Sequence, residues 1–272
     1  MKAVELRHGA VTDVGLVRTV NEDAFLAVAP VFLVADGMGG HSGGDVASQI
    51  AAEEFAALAE RGYDPQRGED HVADAVTRAQ ARLLAYADAQ RVANPTWHAG
   101  TTLVAALLVE LDAAPHWLVA NLGDSRAYAL SEGQLTQLTR DHSVVQELVD
   151  AGAISAQDAE HHPERHVITR ALGSRSGAVP DYFVVPLSRA PRLLLCSDGV
   201  SGMITDSEIH RLLLTCATAE SAATALVAAA VAAGGRDNAT ALVVDVVGLA
   251  SSHLEDSARF GRADEASGGA GK

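Results

Sequence analysis

Four separated apolar runs in this chain each meet an acidic residue flanked by Gly, Asn or Ser, and that repetition limits the possible fold most. VFLVADG stops at Asp36-Gly37, WLVANLGDS at Asp124 and RLLLCSDG at Asp198-Gly199, while in GGRDNATALVV Asp237 opens the run. An apolar run of this length reads as a strand buried on both faces, and the Asp-Gly or Gly-Asp at its end as a tight turn. Turn chemistry alone explains any one of these sites, but turns do not demand Asp each time. A carboxylate at the mouth of a buried strand is expensive to desolvate unless something positive meets it. Four arranged alike point to one shared answer, a cluster of hard divalent cations held by oxygen ligands.

A further acidic cluster, Asn21-Glu22-Asp23, stands just before the apolar stretch 24–29, and Arg18 precedes it. An isolated Arg is usually a solvated charge. Beside carboxylates its planar fork suits a phosphate clamp. The Gly-rich DGMGGHSGG lacks the terminal Gly-Lys-Ser/Thr of a P-loop and the spacing of a dinucleotide fingerprint. A cysteine-nucleophile phosphatase would need an Arg six residues after its Cys; Gly202 and Ala222 follow Cys196 and Cys216 at that distance. The histidines of His161-His162-Pro163-Glu164-Arg165-His166 have no Cys or second ligand pair spaced to close a zinc site. They read as a solvated, mobile loop.

Apolar periodicity predicts strands at 12–16, 24–28, 31–35, 101–111, 116–122, 126–130, 134–138, 182–185, 192–196 and 239–246. Ala47, Ile50, Ala51, Phe55 and Leu58 form one helical stripe, with Gly62 placed to stop it. Val72, Val76, Ala79, Leu83 and Tyr86 mark a second helix, and shorter helices fit 144–151, 207–215 and 220–233. Short hairpin turns such as Ser131-Glu132-Gly133 and the paired long helices favour antiparallel sheets with helices outside over a doubly wound fold.

A chain of 272 residues can bury roughly three quarters of its unfolded surface in one core. A net charge of −15 without a Lys/Arg run argues against nucleic acid and anionic membrane as partners. MKAVELRHGA shows no apolar signal region, and the Ala-rich 222–233 is too short to span a bilayer. Two cysteines give no disulfide framework and fit a reducing cytoplasm. From 249 to 272 the text turns to Ser, Gly, Ala and alternating charge, the composition of a disordered tail.

The ordered set GLVRTVNED, VADGMGGHSGG, AGTTLV, ANLGDSRAY, LTRDHSVVQELVDAGAIS, HVITRALG, LLLCSDGVSGMI and GGRDNATALVV resembles the type 2C metal-dependent protein Ser/Thr phosphatases, the PPM family, and above all its bacterial branch. The resemblance implies an α+β domain over 9–248: a four-layer αββα sandwich of two mainly antiparallel sheets flanked by helix pairs, with a flap at about 141–173. It assigns Asp36 as the carboxylate bridging two metal ions and the Gly37 carbonyl as a ligand of the first. Asp198 and Asp237 match ligands of the second ion, and Asp124 with Asp198 those of a third, looser one. Glu22 and Asp23 match acids that orient metal-bound water, and Arg18 the arginine that grips the substrate phosphate. Animal-type relatives carry a His directly after the Asp-Gly; here that position is Met38, and the next His is His41. His41 either protonates the leaving oxygen, as His near neutral pH can, or only orders the loop.

The resemblance leads to the expectation of a phosphoprotein phosphatase acting on phosphoserine and phosphothreonine, monomeric and cytoplasmic, opposing a Ser/Thr kinase or acting on its targets. Two or three Mn²⁺ or Mg²⁺ ions would serve it, since carboxylate and carbonyl oxygens favour these over zinc. A hydroxide held between two of the ions would attack phosphorus. The alternative is a non-catalytic pseudophosphatase or binding module on the same fold. Such members typically lose metal carboxylates, whereas Asp36, Asp124, Asp198 and Asp237 are all present with Arg18.

Overall fold

Alternation within the apolar runs divides each central strand between two cores, and this sets the layering. In the computed structural model, which describes residues 4–39, 43–175 and 177–249, strand β3 (Val31–Met38) sends Val31, Leu33 and Ala35 into one core and Phe32 and Val34 into another. Strand β5 (Leu103–Leu111) divides the same way, with Leu103, Ala105 and Leu107 opposed to Val104, Ala106 and Leu108. From the far side, Leu193 and Leu195 of β10 (Arg192–Cys196) and Leu242 and Val244 of β11 (Ala239–Leu249) close the central core. Their neighbours Leu194, Cys196, Ala241 and Val243 face a third core. A strand buried on both faces needs a covering layer on each side. Three cores therefore require four layers, helix–sheet–sheet–helix.

The remaining strands are β1 (Val4–Asp13), β2 (Asp23–Val28), β4 (Gly100–Thr101), β6 (Ala114–Leu122), β7 (Arg126–Ser131), β8 (Gln134–Gln137) and β9 (Asp181–Pro186). One sheet runs β1-β11-β10-β7-β8 and the other β2-β3-β5-β6-β9, with β4 paired to β3. Every pairing in both sheets is antiparallel. Helices α1 (Gly44–Glu60) and α2 (Gly68–Arg91) cover the second sheet through Phe55, Leu58, Val72 and Leu83. Gly62, at φ +88, follows α1 as the stop signal requires. Helices α6 (Asp206–Thr215) and α7 (Ala219–Ala232) cover the first sheet through Ile209, Leu213, Ala223 and Leu226. Both start on threonine caps: Thr205 accepts from the Glu208 amide, and Thr218 forms a reciprocal box with Ser221.

Three sequence expectations need correction. The first strand is Val4–Asp13, not 12–16. It is an edge strand paired along its whole length to β11, and its mostly exposed, polar-rich face carries no apolar run to betray it. The strand expected at 101–111 is interrupted at Thr102, whose hydroxyl accepts the backbone N–H of Asp36 in β3. Two short helices were not foreseen, α4 (Ala156–Ala159) and α5 (Asp198–Ser201); both are too brief to show a helical period. The segment 141–173, which also holds α3 (Val144–Asp150), is closed on itself by a bridge between Ser143 and Ile168 and tied to β4 by one between Thr101 and Leu172. The tail expected from 249 lies outside the described residues, except that Leu249 ends β11. Among the described residues no helix is long and apolar enough to cross a membrane.

Candidate metal centre

Four strand ends meet at one end of the sandwich, and each delivers a carboxylate. Asp36 lies near the end of β3, Asp124 in the turn from β6 to β7, Asp198 at the start of α5 just past β10, and Asp237 just before β11. Asp23 faces Asp36 directly across the β2–β3 ladder. All five are half-buried: protein surrounds them closely while one side stays open to solvent.

Their proton affinities record the crowding. Burial first, then the charges of Asp23, Asp198 and Asp124, push the Asp36 carboxyl well above the ordinary range. Asp124 is pushed up to about 8 by burial and then by Asp198 and Asp141. Asp23 rises to about 7, chiefly through burial, although hydrogen bonds from Thr240 and Ser197 favour its charged form. Asp198 is raised by burial and by Asp237, and Glu22 is raised mainly by burial. Like charges in a dry recess disfavour ionisation, and a bound cation reverses that preference.

Polar side chains from neighbouring strands fix the geometry. Asp23 Oδ2 accepts from Thr240 Oγ1 at 2.6 Å and from Ser197 Oγ at 2.8 Å, while its Oδ1 is buried without a partner. Asn238 donates to the carbonyls of Val14 and Val20, both at 3.0 Å, and accepts the Glu22 amide at 2.8 Å. It thereby pins the 14–22 loop beside Asp237. Thr102 Oγ1 accepts the Asp36 amide at 3.0 Å, and Thr101 donates to the Asp36 carbonyl at 2.9 Å. Two glycines are sterically required. A Cβ on Gly37 would stand 2.1 Å from the Gly44 carbonyl oxygen, and one on Gly199 would stand 1.7 Å from that of Asn238.

The structure brings together Asp36, Gly37, Asp124, Asp198 and Asp237, with Glu22, Asp23 and Arg18 beside them. Arg18 pairs with Asp237 at 2.8 Å and is half exposed. Burial opposes its charge, but Asp237, Glu22 and Asp36 outweigh it and raise its pKa. His41 lies outside the described residues. Sequence reasoning passed over Ser197, Thr240, Asn238 and Thr102, which look like ordinary strand and turn residues. It also passed over His166 in the 141–173 segment, whose Nδ1 lies 3.9 Å from Asp198 Oδ2; only its place in a His-rich run hinted at it.

The donor set fits a hard divalent cation: carboxylates and the Gly37 carbonyl, no thiolate, and an unpartnered buried carboxylate oxygen on Asp23. Among the described residues no three His, Cys, Asp or Glu side chains close a shell by themselves. Water and carbonyl oxygens would complete it, as Mg²⁺ in particular prefers.

The model of the family described as Protein phosphatase 2C matches residues 17–236. The chain is 37% identical over 246 residues to the serine/threonine phosphatase Stp of Listeria monocytogenes, covering 86% of this chain and 93% of that protein. It is 42% identical over 245 residues to the serine/threonine protein phosphatase PstP of Mycobacterium tuberculosis, covering 89% of this chain but 45% of that longer protein. Among solved structures, the catalytic domain of PstP in complex with two manganese ions superposes with a TM-score of 0.77 at 36% identity, covering 90% of this chain and all of that one.

Proposed function

The chain belongs to the protein phosphatase 2C family, and on that premise we propose that it removes phosphate from phosphoserine and phosphothreonine in cytoplasmic proteins, as a monomer opposing a Ser/Thr kinase. It is a protein Ser/Thr phosphatase of the PPM type. One observation carries the mechanistic reading: four carboxylates from four chain segments converge, and burial and mutual repulsion raise the pKa values of Asp36, Asp124 and Asp198.

In this reading Asp36 and the Gly37 carbonyl would hold a first Mn²⁺ or Mg²⁺, Asp36, Asp198 and Asp237 would hold a second, and Asp124 with Asp198 would hold a third. When bound, such ions neutralise charge on phosphoryl oxygens and acidify water for attack at phosphorus. The chain's own groups do the rest. Arg18 is the solvent-open cation at the rim, and its fork can take two phosphoryl oxygens once it releases Asp237. Glu22 and Asp23 would accept hydrogen bonds from water beside the ions, and Asp23 is held in place for this by Ser197 and Thr240. His41 is the proposed proton donor to the leaving serine or threonine oxygen.

The purified protein should hydrolyse p-nitrophenyl phosphate and a phosphothreonine peptide with Mn²⁺ or Mg²⁺, and chelation should abolish both activities. Activity surviving exhaustive chelation sinks the metal reading. A protein inert under every metal condition but still binding phosphopeptide would be the non-catalytic alternative.

A further inference from the structure

His142 is buried, between a half-buried Asp141 and a buried Ser143, in a segment that is otherwise mostly exposed or half-buried. Its two ring nitrogens face different elements. Nδ1 accepts the backbone N–H of Gly123 at 3.1 Å, and Nε2 lies 3.1 Å from Asp181 Oδ2 at the start of β9. Because Nδ1 accepts, the neutral ring carries its proton on Nε2 and donates it to Asp181. Arg170 Nη1 donates to the other oxygen of that carboxylate at 3.0 Å and lies 3.3 Å from His142 Nε2, so the three side chains form one cluster. Burial alone would raise the Asp181 carboxyl, but His142 and Arg170 hold it below the ordinary range, so the acceptor stays charged.

The backbone repeats the link. The His142 amide donates to the Gly123 carbonyl at 2.9 Å, and the His142 carbonyl accepts from Thr169 at 2.8 Å. His142 thus holds Gly123 through both its N–H and its C=O, with Asn121 Nδ2 a second donor to that carbonyl at 3.2 Å. Gly123 immediately precedes Asp124, and the other side of that turn is fixed by Ser125, whose hydroxyl is 2.7 Å from Thr102 Oγ1. Among the described residues no side chain hydrogen-bonds the Asp124 carboxylate, so its two neighbours in the turn aim it. One of those neighbours is controlled from the 141–173 segment.

The geometry points to His142 as the positioning residue for Asp124, coupling the orientation of that carboxylate to the docking of the 141–173 segment against β9 through Asp181 and Arg170. The consequence for metal binding rests on Asp124 being a metal carboxylate; the consequence for the Gly123 amide does not. Partners that orient ligands from behind typically change metal affinity by about 10–100-fold when lost.

Two isosteres separate the two ring contacts. In His142→Asn the side-chain oxygen sits near the Nδ1 position and can still accept from Gly123, but Asp181 is lost. In His142→Gln the side-chain amide reaches the Nε2 position and can still donate to Asp181, but Gly123 loses its acceptor. Amide hydrogen exchange on the metal-free protein should show faster exchange at Gly123 in His142→Gln and near wild-type protection there in His142→Asn. Calorimetric Mn²⁺ titration should show the weakest class of sites weakened about 10–100-fold in His142→Gln, with no further loss when His142→Gln is added to Asp124→Asn. Thermal unfolding of each variant identifies any general loss of fold.

Wild-type protection of Gly123 in His142→Gln, or equal losses in the two isosteres, overturns the positioning role. If the Gly123 effect appears but Asp124→Asn leaves Mn²⁺ stoichiometry intact, the metal role of Asp124 falls, and the effect of His142 on metal binding falls with it. A His142→Gln loss that persists in full on Asp124→Asn also overturns the inference, because His142 would then act through something else.

Discussion

Replacing Asp124 by Asn should make the chelated protein more stable at alkaline pH while impairing metal binding. The Asp124 carboxyl is pushed from 3.8 up to about 8, by burial and then by Asp198 and Asp141. The folded state therefore holds this proton more tightly than the unfolded chain does. That contribution to stability is full below 3.8 and is lost as pH rises towards 8. At about 1.4 kcal/mol per pKa unit, the ionised group at the upper end costs roughly 5–6 kcal/mol in a rigid, dry site. Water at the open side and small rearrangements reduce this to about 2–3 kcal/mol. Asn keeps the shape and removes the charge, so it should recover about that much.

Urea and thermal unfolding in the presence of chelator, between about pH 5 and pH 8, measure the effect directly. The gain from Asp124→Asn should be small at the acid end and grow steadily, reaching a rise of about 5–10 °C in the thermal midpoint at the alkaline end. Saturating Mn²⁺ should reverse the ranking, because ions that bind only the folded state stabilise it in proportion to their affinity. A variant less stable than wild type at pH 8 in chelator would refute the argument. So would a gain independent of pH, since the carboxylate would then not be the strained group.

Two further outcomes test the substrate side. Arg18→Ala should raise KM about 10–100-fold for a phosphopeptide with a smaller change in kcat, since a charge-assisted bidentate contact is worth about 1.5–3 kcal/mol; unchanged KM with collapsed kcat in steady-state kinetics would place Arg18 in the transition state alone. His41→Ala should cut phosphopeptide turnover by about 10²–10⁴ and spare p-nitrophenyl phosphate, whose leaving group needs no proton; equal losses on both substrates would retire His41 as the acid.

Two strand and site features were legible because they repeat. An apolar run meeting an Asp flanked by Gly, Asn or Ser leaves its trace four times, and the reading of such a run as a strand buried on both faces matches the division of Val31, Leu33 and Ala35 from Phe32 and Val34 between two cores. Strand β1 was not legible, because an edge strand with one solvated face takes its ladder from β11 rather than from its own apolarity. Ser197, Thr240 and Asn238 were hidden for another reason. Each is an ordinary turn or strand residue whose role arises only from a contact made about 174 to 224 positions away. The His142–Gly123 link is of the same kind: His in a charged segment reads as solvated until the fold buries it.

Long-range pairing also decides which arginine can serve a phosphate. Arg126 opens β7 two residues after Asp124, and by sequence proximity alone it has as strong a claim as Arg18. The structure commits it elsewhere. Its guanidinium takes both oxygens of Asp141, at 2.7 and 3.0 Å, and also donates to Tyr128. The pair is largely buried, so pulling Arg126 out would leave the Asp141 carboxylate unpaired inside the protein, a cost of several kcal/mol. Arg18 has one contact to a half-exposed Asp237 and is itself half exposed. Exposed pairs of that kind are worth about 0–1 kcal/mol, less than a charge-assisted contact to a phosphate dianion contributes. A cation entering at Asp237 would draw that carboxylate away and free the guanidinium in the same step. Metal loading and phosphate capture are then sequential, and a phosphate analogue should bind more weakly to the chelated protein than to the Mn²⁺-loaded one. Equal affinity in the two states, measured by calorimetry, would show that Asp237 does not restrain Arg18.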